Sequence, residues 1–211
     1  MLSISRGINS LTKSSPRITV KIHPTTMNQE TPENVSDEIR YQGKAVYEDE
    51  WIAEFLSEQK SCVIGLSDGN SPHLVTELIV HEKGSGAIYV HGAQGGRLYD
   101  IVNESGNLPA QFTTSQMGRF IPANEPVNFT VEYSSVIGTG TIKLIKTPAK
   151  KRDILELFME KFAPHLVPGE DYEDMSEESV DRTAVYEFDV NSWSGKHGYK
   201  SDDIPGAYVL D

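Results

Sequence analysis

Three short runs between Ser61 and Gly92 constrain this fold more than any other feature. SCVIGLS (61–67) alternates Cys62, Ile64 and Leu66 toward one side. PHLVTELIVHE (72–82) and AIYVHG (87–92) read as the second and third strands. Only the turns DGNSP and KGSG separate them. Alternation with a period of two marks a strand with one buried face. No helical segment lies between the runs, so the strands are hairpin-linked and a doubly wound parallel sheet is excluded. LPAQFTTS (108–115), PVNFTVEYSSV (126–136), GTGTIKLIK (138–146) and TAVYEFDV (183–190) continue the pattern. The segments 126–136 and 138–146 read as a long strand pair. Gly138 and Gly140 mark a bulge or a close backbone approach.

Two segments carry helical spacing. DEWIAEFLSEQK places Trp51, Ile52, Phe55 and Leu56 on one face, with Asp49 able to cap the first turn. From Pro148 to about residue 163, Ile154, Leu155, Phe158, Met159 and Phe162 form a second stripe. A short helix, RLYDIVNE (97–104), follows the glycine loop at 92–96. The fold class is α+β, mainly β: about six or seven strands closing into a small barrel, with two or three flanking helices.

Charge bounds the partners. The chain of 211 residues has a net charge of −12. Residues 1–29 hold Arg6, Lys13, Arg17 and Lys21 and no acid, whereas the rest sets 15 Lys/Arg against 31 Asp/Glu, a net of −16. A body so acidic does not suit nucleic acid as main partner, because binding phosphates needs a Lys/Arg surface. No apolar run has the length of a membrane span. The single cysteine, Cys62, reads as core and leaves no internal disulfide, cysteine-built zinc site or nucleophilic triad.

The first 26 residues are basic, rich in Ser and Thr, and free of acids. That is the composition of a mitochondrial transit peptide; a plain extension, or a true start at Met27, are the alternatives. The expected layout is a tail over 1–28, an irregular arm over 29–48 and one folded domain over 49–211. The compartment is cytoplasmic, or mitochondrial if the tail is an address.

The segment His91–Arg97 is the most informative for chemistry. Its glycines let a ligand approach the backbone, and free N–H groups at a helix start attract an anion. Arg97 can grip a phosphate, and is the only Lys or Arg between Lys83 and Arg119. The alternative is a surface pair with Asp100 or Glu104. His91, at a strand end, could bind a cofactor or move a proton; the alternative is a satisfied surface histidine. Trp193 and Lys196 could cover and pair with a flat ligand, or be a core-edge indole beside a solvated lysine. Tyr133 and Ser135 could donate hydrogen bonds, or simply follow strand alternation. His73, His81 and His91 lack metal-ligand spacing. The acid-rich segment 169–181 lacks the order of a calcium loop and reads as a solvated loop.

Taken in order, Asp49–Ile52, Pro72–Thr76, Ile88–His91, Gly95–Leu98, Gly118–Pro122, Val131–Val136, Arg182–Tyr186 and Trp193–Lys196 resemble the nitroimidazole-resistance branch of the pyridoxamine 5'-phosphate oxidase-like flavoproteins. The resemblance covers about residues 49–200. It implies an FMN-binding split β-barrel working as a homodimer, with two flavin sites built from both chains at the interface. Pro72, Leu74, Val75 and Thr76 would then run alongside the flavin. His91 would lie near its reactive edge as the catalytic residue, and Gly95, Gly96, Arg97 and Leu98 near its phosphate. Ser135 matches a serine of the family motif, and Trp193 and Lys196 match a segment that reaches the partner's flavin. Arg97 stands where many relatives have lysine. The implied function is an FMN-dependent oxidoreductase that takes electrons from a small donor to a small organic acceptor. Two alternatives are a non-catalytic flavin carrier or sensor, and a haem protein on the same barrel with His91 or His73 as axial ligand.

Overall fold

A computed structural model of the chain describes residues 39–67, 69 and 71–209. The expectations for the tail (1–28), and for most of the arm, lie outside these residues. In chain order the elements are β1 (Ala45–Val46), α1 (Asp49–Glu58), β2 (Ser61–Ser67), β3 (Pro72–Leu78), β4 (Val80–His81), β5 (Ile88–Ala93), α2 (Arg97–Ser105), β6 (Asn107–Ile121), β7 (Thr130–Leu144), α3 (Pro148–Phe162), α4 (Glu177–Arg182), β8 (Thr183–Gly198) and β9 (Tyr208–Val209). The nine strands form one sheet in the order β3–β2–β6–β7–β8–β5–β4, with β1 added on β8 and β9 on β6. Every named strand pair is antiparallel. The α+β, mainly β expectation therefore holds.

Several boundaries differ from those expected, each for a physical reason. The run 72–82 is two strands at opposite ends of the sheet order, because the chain leaves the sheet at the fully buried Ile79. The Ile79 N–H donates to the Lys60 carbonyl at 3.1 Å. Lys161 of α3 secures the crossing by donating to the carbonyls of Gln59 (2.6 Å) and Ile79 (3.0 Å). The expected pair 126–136 and 138–146 is a single strand, β7, preceded by a short 3-10 turn at Pro126–Asn128. Gly138 is no break: a Cβ there would fall 2.1 Å from Cε1 of Phe112, whose ring occupies that space. Gly140 lies where the register between β7 and β8 shifts, against the Asp189 carbonyl. The strands β6 and β8 are also longer than expected, and β8 takes in Trp193–Lys196. Within the arm, β1 pairs Ala45 with Lys196 and Val46 with Gly195. Asp49 is inside α1 and caps nothing; Glu48 is the capping position. The acidic segment 169–181 ends in α4, which Ser176 caps through Ser179 N–H.

Two apolar clusters result. The barrel interior holds Ile52, Leu56, Ile64, Ile88, Val90, Phe112, Val136, Ile142, Tyr186 and Phe188. A second cluster packs α3 (Ile154, Phe158) against Val80, Tyr89 and Val185. At the far end of β7 the buried Glu132 accepts from Arg119 at 2.7 and 2.8 Å and from the Lys200 N–H at 3.0 Å. The Arg119 hydrogen bonds hold the Glu132 carboxyl down at about 2.

His81 is buried, and neither ring nitrogen makes a hydrogen bond of normal geometry. Burial, then the nearby Lys161 charge, lowers its pKa below the ordinary 6.5; the pull of the Ala53 backbone and Glu82 does not offset this. The folded chain thus keeps His81 neutral while the unfolded chain protonates it below about pH 6.5. Its contribution opposes folding increasingly as pH falls through that value. The melting temperature, followed by calorimetry from about pH 7.5 to 5, should fall, and His81→Phe should flatten that fall. Gly138→Ala should cost about 1–3 kcal/mol in urea unfolding, because the added methyl displaces the Phe112 ring.

Candidate functional site

Directly paired residues of neighbouring strands project to the same face of a sheet. The register therefore places Thr76, Val63, Thr113, Ile137 and Ser194 in one row across β3, β2, β6, β7 and β8. Leu74, Gly65, Gln111, Thr139 and Ser192 form the next row. Ser115, Ser135 and Lys196 extend the face on β6 to β8. This is the outer face, opposite the barrel core. It is built from small hydroxyl-bearing and aliphatic residues, and Leu74 (69% exposed), Leu78 and Ile137 lie open on it. Of the expected site residues, Pro72, Leu74, Thr76, Ser135 and Lys196 share this face. Thr76 and Ser194 are four strand spacings apart, roughly 19 Å. The β3 edge and the Ser135–Lys196 pair are therefore farther apart than one flat heterocycle can span.

The glycine loop meets this face at the start of β3. Gly96 adopts φ 83° ahead of α2, a backbone state that favours glycine. Arg97 is the first residue of α2, and its Nη2 donates to Ser71 Oγ at 2.8 Å, one residue before Pro72. The loop is also tied to α4, where Gln94 Nε2 donates to the Asp181 carbonyl. A guanidinium, a helix N-terminus and the end of the exposed edge strand therefore share one corner, and an anion is the ligand such a corner favours. Neither Ser71 nor Gln94 stood out in the sequence, because both act through contacts distant in the chain.

The remaining expected residues lie elsewhere. Val75 packs against the barrel core, and Leu98 is buried in it. Trp193 sits on the opposite face of β8 from Lys196, and its indole N–H donates to Asp49 Oδ1 at 2.7 Å. His91 is half-buried on β5, beside Val185, with its ring edge-on to Phe158 of α3 at 4.5 Å. Burial lowers the His91 pKa, which favours a neutral imidazole. On the inner side of β3, burial raises the Glu77 carboxyl. Burial, followed by the Glu77 charge, pushes Cys62 up to about 12, so Cys62 stays a thiol.

Two hollows adjoin the face. A groove of about 420 Å³ runs along Glu58, Val63, Thr76, Thr113, Ser115 and Gln116. A smaller hollow of about 280 Å³ lies under α1 and shares Glu58 and Gln116 with the groove. Among the described residues, no three His, Cys, Asp or Glu side chains are grouped to hold a metal ion, and no helix is long and apolar enough to cross a membrane.

Comparison with known proteins agrees with this architecture. No curated protein matches the chain. The flavocytochrome Anf3 from Azotobacter vinelandii superposes with a TM-score of 0.67 at 24% identity, over 82% of this chain and 80% of its own. The FAD and haem binding protein from Mycobacterium smegmatis gives 0.63 at 18% identity, over 75% and 76%. A candidate 5-nitroimidazole antibiotic resistance protein from Bacteroides thetaiotaomicron gives 0.56 at 17% identity, over 72% and 85%. At these identities the likenesses speak for the fold. The family model for pyridoxamine 5'-phosphate oxidase matches residues 48–197. The span runs from the residue before α1 almost to the end of β8, so it takes in the barrel and both ends of the outer face, and the chain belongs to the pyridoxamine 5'-phosphate oxidase family.

Proposed function

We propose that this chain is an FMN-dependent oxidoreductase that works as a homodimer, with its outer sheet face as the dimer interface and the flavin seat. The observation that carries the reading is the split of the site residues. Pro72, Leu74, Thr76 and Arg97 lie at one end of the face, and Ser135 with Lys196 lie at the other. A two-fold pairing of copies through this face brings one chain's edge strand against the other's Ser135 and Lys196.

The donor set fits the cofactor. Arg97 and the N-terminus of α2 suit a phosphate dianion in a body that is otherwise strongly acidic. The rows of Ser, Thr and Gly give a flat ring a surface without bulky obstruction, and Leu74 and Ile137 shield it from water. Ser135 and Lys196 can donate to ring oxygens and nitrogens. His91, expected as the catalytic residue, lies away from this face against Phe158 of α3, and no step is assigned to it. When bound, FMN supplies the redox chemistry, with a small organic molecule as acceptor. One structural neighbour is described as a flavocytochrome and another as an FAD and haem binding protein, so the absorption spectrum of the purified chain decides between flavin bands and a Soret band.

Arg97→Ala should weaken FMN binding more than tenfold, since a charge-assisted phosphate contact contributes about 1.5–3 kcal/mol. Fluorescence titration of the apoprotein measures this, and unchanged affinity refutes the phosphate assignment. Mixed dimers test the two-chain site. When Arg97→Ala and Lys196→Ala chains are paired, one site regains both cations and the other loses both. Titration should then recover about one full-affinity FMN per dimer. Two equally weakened sites would mean that each chain builds its own site.

A further inference from the structure

We propose that the hollow between α1 and the ends of β6, β7 and β8 binds a small organic cation, with a flat, positively charged ring as the best-fitting class. The proposal does not rest on the flavin reading.

The walls are aromatic. Trp51 and Phe55, one turn apart on α1, stack with centroids 5.4 Å apart. His197 meets Trp51 edge-on at 5.5 Å and stacks with Tyr199 at 5.1 Å. Tyr133 completes the hollow. The backbone is shaped for these rings: a Cβ at Gly195 would fall 2.8 Å from Trp51, and one at Gly198 2.8 Å from Tyr133. The His197 ring is fixed by a 2.9 Å hydrogen bond between Nδ1 and Ser134 Oγ.

The rim is acidic. Glu54 and Glu58 stand one turn apart on α1, both line the hollow, and both are exposed. No Lys or Arg lines it. Aromatic faces attract cations through the negative charge of their π-systems, and carboxylates beside them add direct attraction. Lys44, which is outside the lining, places its ammonium 5.5 Å from the Tyr133 ring centroid, so the remaining rings, Trp51, Phe55, His197 and Tyr199, carry the attraction. The hollow, at about 280 Å³, takes one ring or a small quaternary ammonium and no more. It opens beside the Val63–Thr76 groove, with which it shares Glu58 and Gln116. A cation held there lies next to the outer sheet face.

The test uses the full chain as purified and saturation-transfer NMR. The probes are 1-methylnicotinamide, a flat cation, and nicotinamide, nearly the same shape without the charge. The cation should bind at least tenfold more tightly. The Glu54→Gln/Glu58→Gln double variant changes two exposed side chains and should bring its affinity down to that of nicotinamide, with the melting temperature unchanged. Equal binding of the two probes by the unaltered chain overturns the proposal. So does retained cation affinity in the double variant, or no transfer at about 10 mM probe.

Discussion

The Phe112 ring lies over the backbone of Gly138 and meets Phe188 edge-on at 5.2 Å. This contact joins β6, β7 and β8 through the centre of the barrel. Strict alternation does the rest, since each large side chain sent inward commits its neighbours to the outside. The inner positions of these strands carry Phe112, Val136, Ile142 and Phe188. The outer positions are then free to be small, and they carry Thr113, Ser115, Ser135, Thr139 and Ser194. The filled interior and the smooth exterior are one consequence of one register. A slip of a single residue would send Phe112 outward and Thr113 into the core.

Closure is a second constraint, and it falls on the shortest strands. The chain moves from β3 to β4 within one residue, and at Ile79 it crosses from one end of the sheet order to the other. Lys161 bridges this point because the carbonyls of Gln59 and Ile79 would otherwise face a partly apolar environment. Burial lowers the Lys161 pKa, so the bridge holds a charge where water is scarce. The same junction buries His81 against Trp193 at 6.0 Å. A stretch that reads as a single strand from its alternation thus carries the crossing from one end of the sheet order to the other.

How much was legible follows from how local each cause is. The alternation of 61–67 and 87–92, the α1 and α3 stripes and the loop that opens α2 are local patterns, and they read correctly. Gly138 read as a bulge or a close approach, and Phe112, packed over it from another strand, makes it the close approach; the strand boundary placed beside it was wrong because that ring comes from a distant part of the chain. The site divides in the same way. Arg97 was legible as the one Lys or Arg between Lys83 and Arg119, set in a glycine loop that opens a helix. That Leu74, Thr76, Ser135 and Lys196 share a face requires the pairing of five strands, which no local pattern contains. Trp193 and Lys196 look adjacent in sequence, yet three residues along a strand put them on opposite faces. The indole consequently went to Asp49 and α1.

The charge distribution gives the two sides of this chain opposite chemistry. Beyond residue 29 the chain is net −16, so an anion can be held only where cations are concentrated and backbone N–H groups assist. Arg97 at the N-terminus of α2, and Lys196 beside Ser135, meet that condition on the outer face. The hollow under α1 needs no such device, since the overall field already favours a cation and Glu54 and Glu58 add to it locally. Screening confines each effect to about 8–10 Å at ordinary ionic strength. Sites of opposite sign can therefore sit on one small domain without cancelling.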